Sequence, residues 1–525
     1  MRRRGIDSRG SSSTLDRQEK MCWSVEDTDH AGESADPISV AIQSASKEKK
    51  MPRQVLIIHG WSDTSKSFVA LGQFLSANGY QPKLIWLGDY ISRDDDVRVE
   101  DVGIRMAEVI DDMLGRGELD GTFDVIVHST GGLVARSWLT TRYRGQAEQC
   151  PMKRLIMLAP ANHGSKLAAT GKSLLGRVVK GYDNWFQTGQ SMLNDLELSS
   201  PYQWELSQRD VLAAPGAQAG RCYSANAVWP FVIVGSHPYA SMLRQIVNED
   251  GSDGTVRVCA ANLNACGVTI DFREIEEQRM MRVWESRLDC EVPLAVLPTR
   301  THGSIVDPER TVGANREDIA ESPEEQAELG RLVLEALACE SFEDYRKLQG
   351  RWRDLSERTA ARRADPPQGS SREFFHQYMQ VNTYVIDDHG EPVPDYFLEF
   401  FSNTTKAHDD ANVYLHRNVI EDVKKNSVNA ALRNLYFDRT ELVEGYYPRL
   451  PAGTPPELYM SISAAAPGRN VAYFEREKVG AEGKVRVHLE GDKTKRWLQR
   501  NTTHYVQIII PRRPSAEVFK LRRLP

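Results

Sequence analysis

Several features that mark other protein classes are missing from this 525-residue sequence. Its seven cysteines are odd in number and irregularly spaced, with no CxxC pair and none beyond residue 339, which favours reduced thiols over a disulfide framework. Basic residues are outnumbered by acidic ones, 66 against 73, so a nucleic-acid binder is not expected. No apolar run approaches the roughly 20 residues that a membrane-spanning helix needs. These absences leave a globular protein long enough for two domains.

The first 50 residues also lack a targeting signal. They begin with Met-Arg-Arg-Arg and continue with Ser, Asp, Glu and Lys, without the apolar core of a secretory signal peptide. We therefore expect residues 1–50 to be a disordered tail. The same observation predicts a cytoplasmic or otherwise soluble protein without a Sec signal, and it leaves export by a signal-independent route open.

The most informative stretch is residues 124–136. Three apolar β-formers at 125–127 lead into His128 and Ser129, and two glycines, Gly131 and Gly132, precede a helix-forming segment. This order predicts a strand, a sharp turn and a helix, with Ser129 on the turn. A serine there projects beyond the end of the strand, and the first amides of the helix can stabilise negative charge beside it.

The stretch resembles G-x-S-x-G, the nucleophile elbow of α/β-hydrolases. Ser129 and Gly131 match the motif, but Val127 stands where the first glycine usually is. Because strand and helix come close together at an elbow, we expect this β-branched residue to crowd the approach. Taken alone, the stretch is equally compatible with an ordinary buried turn between a strand and a helix.

A second part of the resemblance precedes the elbow. The apolar strand predicted at 54–58 ends in His59-Gly60-Trp61, and in α/β-hydrolases a strand followed by His-Gly marks a loop that supplies half of the oxyanion hole. The resemblance implies that the backbone amides of Trp61 and Thr130 are the two donors.

The acid and the base follow in the order that this fold requires. Asp253 lies in an Asp-Gly-Thr-Val sequence, the usual setting of the acid in lipase-like hydrolases, and Asp250 on the same loop could replace it. His302 follows the apolar stretch 293–298 and completes the order Ser, Asp, His, which makes it the expected general base. Four other histidines do not have this position and are not expected to be the base: His59, His128, His163 and His237.

Helices and strands alternate through residue 165, which predicts an α/β fold with a doubly wound, mostly parallel sheet. We expect an α/β-hydrolase domain at 51–340, with a helical cap or lid insert at about 166–220. A helix and linker at 341–372 should lead to a second, all-β, sandwich-like domain at 373–525. That domain has no catalytic constellation of its own, so a binding or packing role is expected.

The sequence looks most similar to bacterial lipase-like and GPI-inositol-deacylase-like serine hydrolases. The resemblance implies hydrolysis of carboxylic esters, in particular lipid or phospholipid acyl esters, through an acyl-enzyme on Ser129, with His302 as base and Asp253 orienting it. It implies no metal or organic cofactor, a small ester or lipid as substrate, and peripheral contact with a lipid surface. The alternative is a partner-binding protein with a vestigial hydrolase domain, of which Val127 would be a sign.

Overall fold

A computed structural model describes most of the chain, with gaps. The described residues are 52–58, 65–85, 96–168, 189–217, 220–239, 248–274, 280–309, 322–366, 370–402, 409–453, 456–473, 484–488, 498–514 and 518. The tail at 1–50, the loop at 59–64 and residues 169–188 of the predicted cap insert lie outside this part of the chain.

The strands and helices are numbered in chain order. The strands are β1 (Gln54–Ile58), β2 (Gln81–Ile85), β3 (Phe123–His128), β4 (Met152–Leu158), β5 (Leu212–Ala213), β6 (Trp229–Gly235), β7 (Ala265–Asp271), β8 (Met281–Val283), β9 (Glu285–Ser286), β10 (Leu294–Leu297), β11 (Tyr378–Asp387), β12 (Tyr396–Phe401), β13 (Ile420–Lys425), β14 (Leu432–Asp438), β15 (Glu457–Ala464), β16 (Val471–Tyr473), β17 (Lys484–His488), β18 (Thr503–Ile510) and β19 (Arg512–Pro514). The α-helices are α1 (Ser65–Ala77), α2 (Val99–Gly115), α3 (Gly131–Arg142), α4 (Gln190–Leu196), α5 (Pro201–Asp210), α6 (Val258–Ala261), α7 (Pro323–Ala338), α8 (Phe342–Ala361), α9 (Asp410–Tyr414) and α10 (Arg439–Glu441). None of the helices in the described ranges is long and apolar enough to cross a lipid bilayer.

The first sheet is the predicted doubly wound sheet. Its six strands lie in the order β10-β6-β4-β3-β1-β2, and every neighbouring pair is parallel. β1 and β3 are buried along their whole length, as expected for parallel strands that are covered on both faces. The carboxyl ends of these strands form one edge, where ligands bind in open α/β sheets.

Alternate residues of the central strands enter two different apolar cores. Val125 and Val127 of β3 pack with helices α2 and α3 on one face. Ile126, which lies between them, packs with α1, α7 and α8 on the other. Successive side chains of a strand point to opposite faces of the sheet, so this division places helices on both sides of it. The α/β prediction is confirmed.

The second sheet has mixed directions. Its order is β13-β14-β11-β18-β7-β8, and β18 is parallel to both β11 and β7, while the other neighbours are antiparallel. A smaller antiparallel sheet, β12-β15-β17, shares an apolar core with it, which contains Phe400 and Met460 from the small sheet and Val381 and Val506 from the large one. The C-terminal part of the chain is therefore a layered β structure, as the sequence predicts.

Two strands of the second sheet come from outside the range predicted for the β domain. β7 and β8 lie within residues 51–340, yet β7 pairs with β18 along its whole length. Trp204 of helix α5 makes edge contacts with Tyr505 of β18 and Tyr384 of β11, at 5.1 and 5.6 Å between ring centroids. The division into domains at 341–372 remains a prediction, but the strand pairing favours one folding unit.

A chain ending at Ala364 should therefore fail to fold. It would lose β11 and β18, leaving β7 without its parallel neighbour and exposing Trp204, which is buried in the full chain and contacts both lost strands. Unpaired strand edges and exposed aromatic side chains promote aggregation. We expect the truncated chain to be insoluble, or soluble without a cooperative thermal transition, while the full chain unfolds cooperatively. A soluble truncated chain that melts cooperatively would show that residues 52–364 fold alone.

Candidate active site

Ser129 lies on a sharp turn between β3 and α3. Its φ is +52°, a left-handed backbone conformation that is uncommon for a residue with a side chain. The turn is held by hydrogen bonds from the Ser129 N–H to the Leu158 carbonyl at 3.1 Å and from the Gly132 N–H to the Ser129 carbonyl at 3.1 Å. Such a strained turn is what presents the serine in a nucleophile elbow.

Gly132 shows why the elbow needs small residues. A Cβ built on this residue would lie 2.8 Å from the Cβ of Pro160, on the segment that follows β4. Atoms at that separation repel, so a larger residue would push α3 away from the end of β4. The glycine allows the first turn of α3 to sit directly beside the strand ends.

Ser129, His302 and Asp253 form a hydrogen-bonded chain. The Oγ of Ser129 lies 3.0 Å from Nε2 of His302, and Nδ1 of His302 lies 2.8 Å from Oδ2 of Asp253. A carboxylate can only accept a hydrogen bond, so Nδ1 carries a proton and its N–H donates a hydrogen bond to Asp253. Nε2 then has a free lone pair that accepts the serine hydroxyl. This tautomer is the one in which the imidazole can take the serine proton.

The Asp253 carboxylate is fixed on its other side by backbone amides. Its Oδ1 accepts hydrogen bonds from the N–H groups of Thr255 at 3.0 Å and Val256 at 2.8 Å. The His302 N–H also donates to the Asp253 carbonyl at 2.9 Å, so the acid and base segments are joined through both backbone and side chain. Asp253 is fully buried, and His302 and Ser129 are 2% and 8% exposed. Low exposure strengthens these hydrogen bonds by excluding water.

Asp250, the alternative acid, lies in a different environment. Burial raises the pKa of its carboxyl, and the charges that act on it most strongly are those of Arg257, Glu373 and His376. The structure brings the carboxylate of Asp253 to His302, and the assignment of the acid remains a prediction.

His128 makes a contact that the sequence does not reveal. Its Nε2 lies 3.0 Å from the His302 carbonyl oxygen, and because that oxygen only accepts, Nε2 is protonated. The two imidazole rings are 4.7 Å apart between centroids. His128 therefore supports the His302 segment from the end of β3. The only sign of this role in the sequence is that His128 directly precedes Ser129.

Of the two predicted donors of the oxyanion hole, only Thr130 lies among the described residues. Thr130 directly follows Ser129 and precedes α3, so its amide is among the first N–H groups of that helix, which have no partner within the helix. No described residue accepts a hydrogen bond from this N–H. Trp61, the other predicted donor, lies outside the described residues together with His59 and Gly60. The assignment of both amides remains a prediction.

The remaining histidines have other surroundings. His163 is fully buried, its Nδ1 is 2.9 Å from the Tyr505 hydroxyl, and burial lowers its pKa well below the usual value. This neutral side chain connects the hydrolase core to β18. His237 is also buried, and its backbone N–H donates a hydrogen bond to the backbone carbonyl of Arg300. Within the described ranges, no three His, Cys, Asp or Glu side chains are grouped so as to hold a metal ion.

Val127 can be tested against the motif from which it departs. Its side chain is fully buried and lies between Ile58 and Met157 of the neighbouring strands. Val127→Gly would restore the glycine of the motif, but it should destabilise the fold by about 2–4 kcal/mol, because it leaves a cavity and adds backbone freedom to the unfolded chain.

Denaturant unfolding measures this loss, and Val125→Gly, on the same face of the same strand, is the matched control. The two variants should lose similar stability, and folded Val127→Gly should keep its activity. A more stable and more active Val127→Gly protein would show that valine crowds the elbow.

The parallel sheet, the left-handed serine after β3 and the layered β structure that follows define an α/β-hydrolase fold with a C-terminal mixed β region. The solved structure of phospholipase PlaB from Legionella pneumophila has this fold: it covers 90% of this chain and 97% of its own at 24% identity, with a TM-score of 0.70. PlaB in complex with thio-NAD gives the same identity and coverage and a TM-score of 0.69. The lipase BlEst2 from Bacillus licheniformis, in propeptide form, covers 52% of each chain at 14% identity and a TM-score of 0.34.

Two sequence comparisons complete these findings. Residues 24–195 match a family described as a domain of unknown function (DUF7379), which spans less than half of the chain. No curated protein matches the sequence.

Proposed function

We propose that this chain is a serine hydrolase that cleaves carboxylic esters through an acyl-enzyme on Ser129, with lipid or phospholipid acyl esters as its substrates. The observation that carries the proposal is the hydrogen-bonded chain of Ser129, His302 and Asp253, at 3.0 and 2.8 Å. A buried serine at a strained turn, bonded to an imidazole that is itself bonded to a buried carboxylate, is the arrangement that activates a hydroxyl as a nucleophile.

The reaction proceeds in two halves. In the first, His302 Nε2 takes the Ser129 proton as Oγ attacks the ester carbonyl, and the negative charge that develops on the carbonyl oxygen is stabilised by the amides of Thr130 and Trp61. His302 then returns the proton to the departing alcohol, which leaves the acyl group on Ser129. In the second half, water loses a proton to His302 as its oxygen attacks the acyl group. The bond to Ser129 then breaks, His302 returns the proton to Ser129 Oγ, and the carboxylic acid leaves. Asp253 keeps the proton on Nδ1 and stabilises the imidazolium of each half.

The lipid part of the proposal has separate support. The likeness to PlaB, whose name is that of a phospholipase, extends through the C-terminal β region as well as the hydrolase sheet. Lipid esters lie in aggregates, so this function includes peripheral contact with a lipid surface.

A substrate panel tests the proposal. It should contain short p-nitrophenyl esters, a triglyceride, a diacyl phospholipid and a lysophospholipid, with released fatty acid or p-nitrophenol as the readout. We expect hydrolysis of the short esters and faster acyl release from the phospholipids. A full chain that releases no acyl group from any ester would favour the alternative, a partner-binding protein with a vestigial hydrolase domain. Hydrolysis limited to soluble esters would keep the serine hydrolase and remove its lipid substrate.

A further inference from the structure

The loop that carries Asp253 is short and tightly turned. It runs from Glu249 to Arg257, just before α6, and Ser252 and Arg257 form a backbone bridge across it. The Val258 N–H donates to the Gly251 carbonyl at 3.0 Å and closes the same turn. Arg257 directly follows Val256, and the N–H of Val256 donates a hydrogen bond to Oδ1 of Asp253. Any displacement of Arg257 moves one of the donors that fix the carboxylate.

The side chain of Arg257 enters the second sheet. Its guanidinium carbon lies 4.3 Å from the ring centroid of Tyr378 on β11 and 4.1 Å from that of Tyr436 on β14. Arg257 forms ion pairs with Glu421 of β13 at 3.2 Å and with Glu249 at 3.6 Å, and only 4% of it is exposed. A guanidinium held between two aromatic faces and two carboxylates has one favourable position. We call these five residues the arginine cage.

Tyr378 also touches the backbone of the loop. A Cβ built on Gly251 would lie 2.3 Å from the Tyr378 ring, so the ring rests directly on this residue. The φ of Gly251 is +65°, which is a further reason for glycine at this position. The Tyr378 hydroxyl points to Oε1 of Glu421 at 3.4 Å. The ring therefore holds the loop at two places, at Gly251 before Asp253 and at Arg257 after it.

We propose that the arginine cage is a positioning element for the Asp253 carboxylate, so that the second sheet is part of the active site rather than an accessory to it. This inference rests on the proposed function. The cage touches neither substrate nor the reacting atoms, and it acts through Asp253 alone. Small displacements matter in such a site, since misplacing a catalytic group by about 1 Å can cost about 10²-fold in rate.

The test is a double-mutant cycle between the cage and the acid. Tyr378→Leu removes the ring from both Gly251 and Arg257 and should lower kcat on p-nitrophenyl butyrate about 10²-fold, with KM nearly unchanged. In the Asp253→Asn background there is no correctly bonded acid left to position. There the same substitution should lower kcat less than about threefold, since residues that act as a unit are not additive. Equal losses in both backgrounds would overturn the proposal.

Three further variants separate positioning from general damage to the fold. Tyr396→Leu is the matched control, because Tyr396 is a buried tyrosine of the same β region that lies under another arginine, Arg433, at 3.6 Å. It should lose stability without the loss in kcat. Tyr378→Phe keeps the ring and should recover at least about a third of the wild-type kcat. Arg257→Lys keeps the charge but has no planar group to stack on the rings. If Tyr378→Leu does not fold, Arg257→Lys replaces it in the double-mutant cycle with Asp253→Asn.

A readout without substrate distinguishes failure of this inference from failure of the proposed function. The proton between His302 and Asp253 should give a downfield ¹H NMR signal, assigned by its loss in His302→Gln. Tyr378→Leu should shift or broaden it, and Tyr396→Leu should leave it in place. If the signal shifts in Tyr378→Leu but the wild-type chain hydrolyses no ester, the proposed function is removed and the positioning role is kept. A signal unchanged in folded Tyr378→Leu and in Arg257→Lys would remove the positioning role.

Discussion

Replacing Ser129 with alanine should lower kcat on esters by a factor of about 10⁴ to 10⁶ while the protein remains folded. The loss is large because the acyl-enzyme forms on this one oxygen, and the remaining groups can offer only binding and oxyanion stabilisation. The fold should persist because the Ser129 hydroxyl bonds to His302, whereas the turn itself is held by backbone hydrogen bonds. Steady-state kinetics on a soluble ester, with thermal unfolding of both proteins, measures the two effects.

The matched control for this variant is Ser137→Ala. Ser137 is a fully buried serine on α3, the helix that begins at the elbow, and it lies outside the hydrogen-bonded chain. Its loss should change kcat less than about twofold. If Ser129→Ala kept activity within tenfold of the wild type, the nucleophile would lie elsewhere in the chain.

Asp253→Asn should lower kcat about 10⁴-fold through the tautomer of His302. Oδ1 of Asp253 accepts two backbone N–H groups, so the asparagine would keep its oxygen there and turn its NH₂ toward His302. Nδ1 would then have to accept, the proton would move to Nε2, and the imidazole could no longer take the proton of Ser129. The substitution removes no volume, so thermal stability should change little compared with kcat.

Asp250→Asn is the internal comparison, because Asp250 lies on the same loop and was the alternative from sequence. Nδ1 of His302 bonds to Asp253, so the kcat of Asp250→Asn should stay within about threefold of wild type. If Asp250→Asn were the more damaging change, the acid would be assigned to the wrong residue of the right loop.

The hydrolase sheet was predictable because its strands are short, apolar and separated by helices. A parallel strand covered on both faces is expected to contain a continuous apolar run, and β1, β3 and β4 have such runs at 55–58, 125–127 and 155–158. The candidate site was accessible for a related reason: Ser129, Asp253 and His302 each follow such a strand or lie in a glycine-bearing turn, in an order that the resemblance supplied. Their hydrogen bonds could not be read from the sequence.

The second sheet was harder to predict because its pairings are distant in sequence. Thr269 of β7 bonds to Gln507 of β18 across 238 positions, and nothing local in β7 announces that partner. Tyr436 of β14 and Glu421 of β13 reach Arg257 in the same way, from segments far along the chain. A lone arginine after the acid loop has no local signal, since its partners Tyr378, Glu421 and Tyr436 all lie more than 100 residues further along the chain.

A covalent probe shows whether the Ser129 hydroxyl is an activated nucleophile. The full chain should be treated with a fluorophosphonate, which forms a stable bond only with an activated serine, and the adduct located by peptide mass spectrometry. We expect one modified residue, Ser129, and strongly reduced labelling in His302→Gln. An unlabelled chain, or a label on another residue, would contradict it.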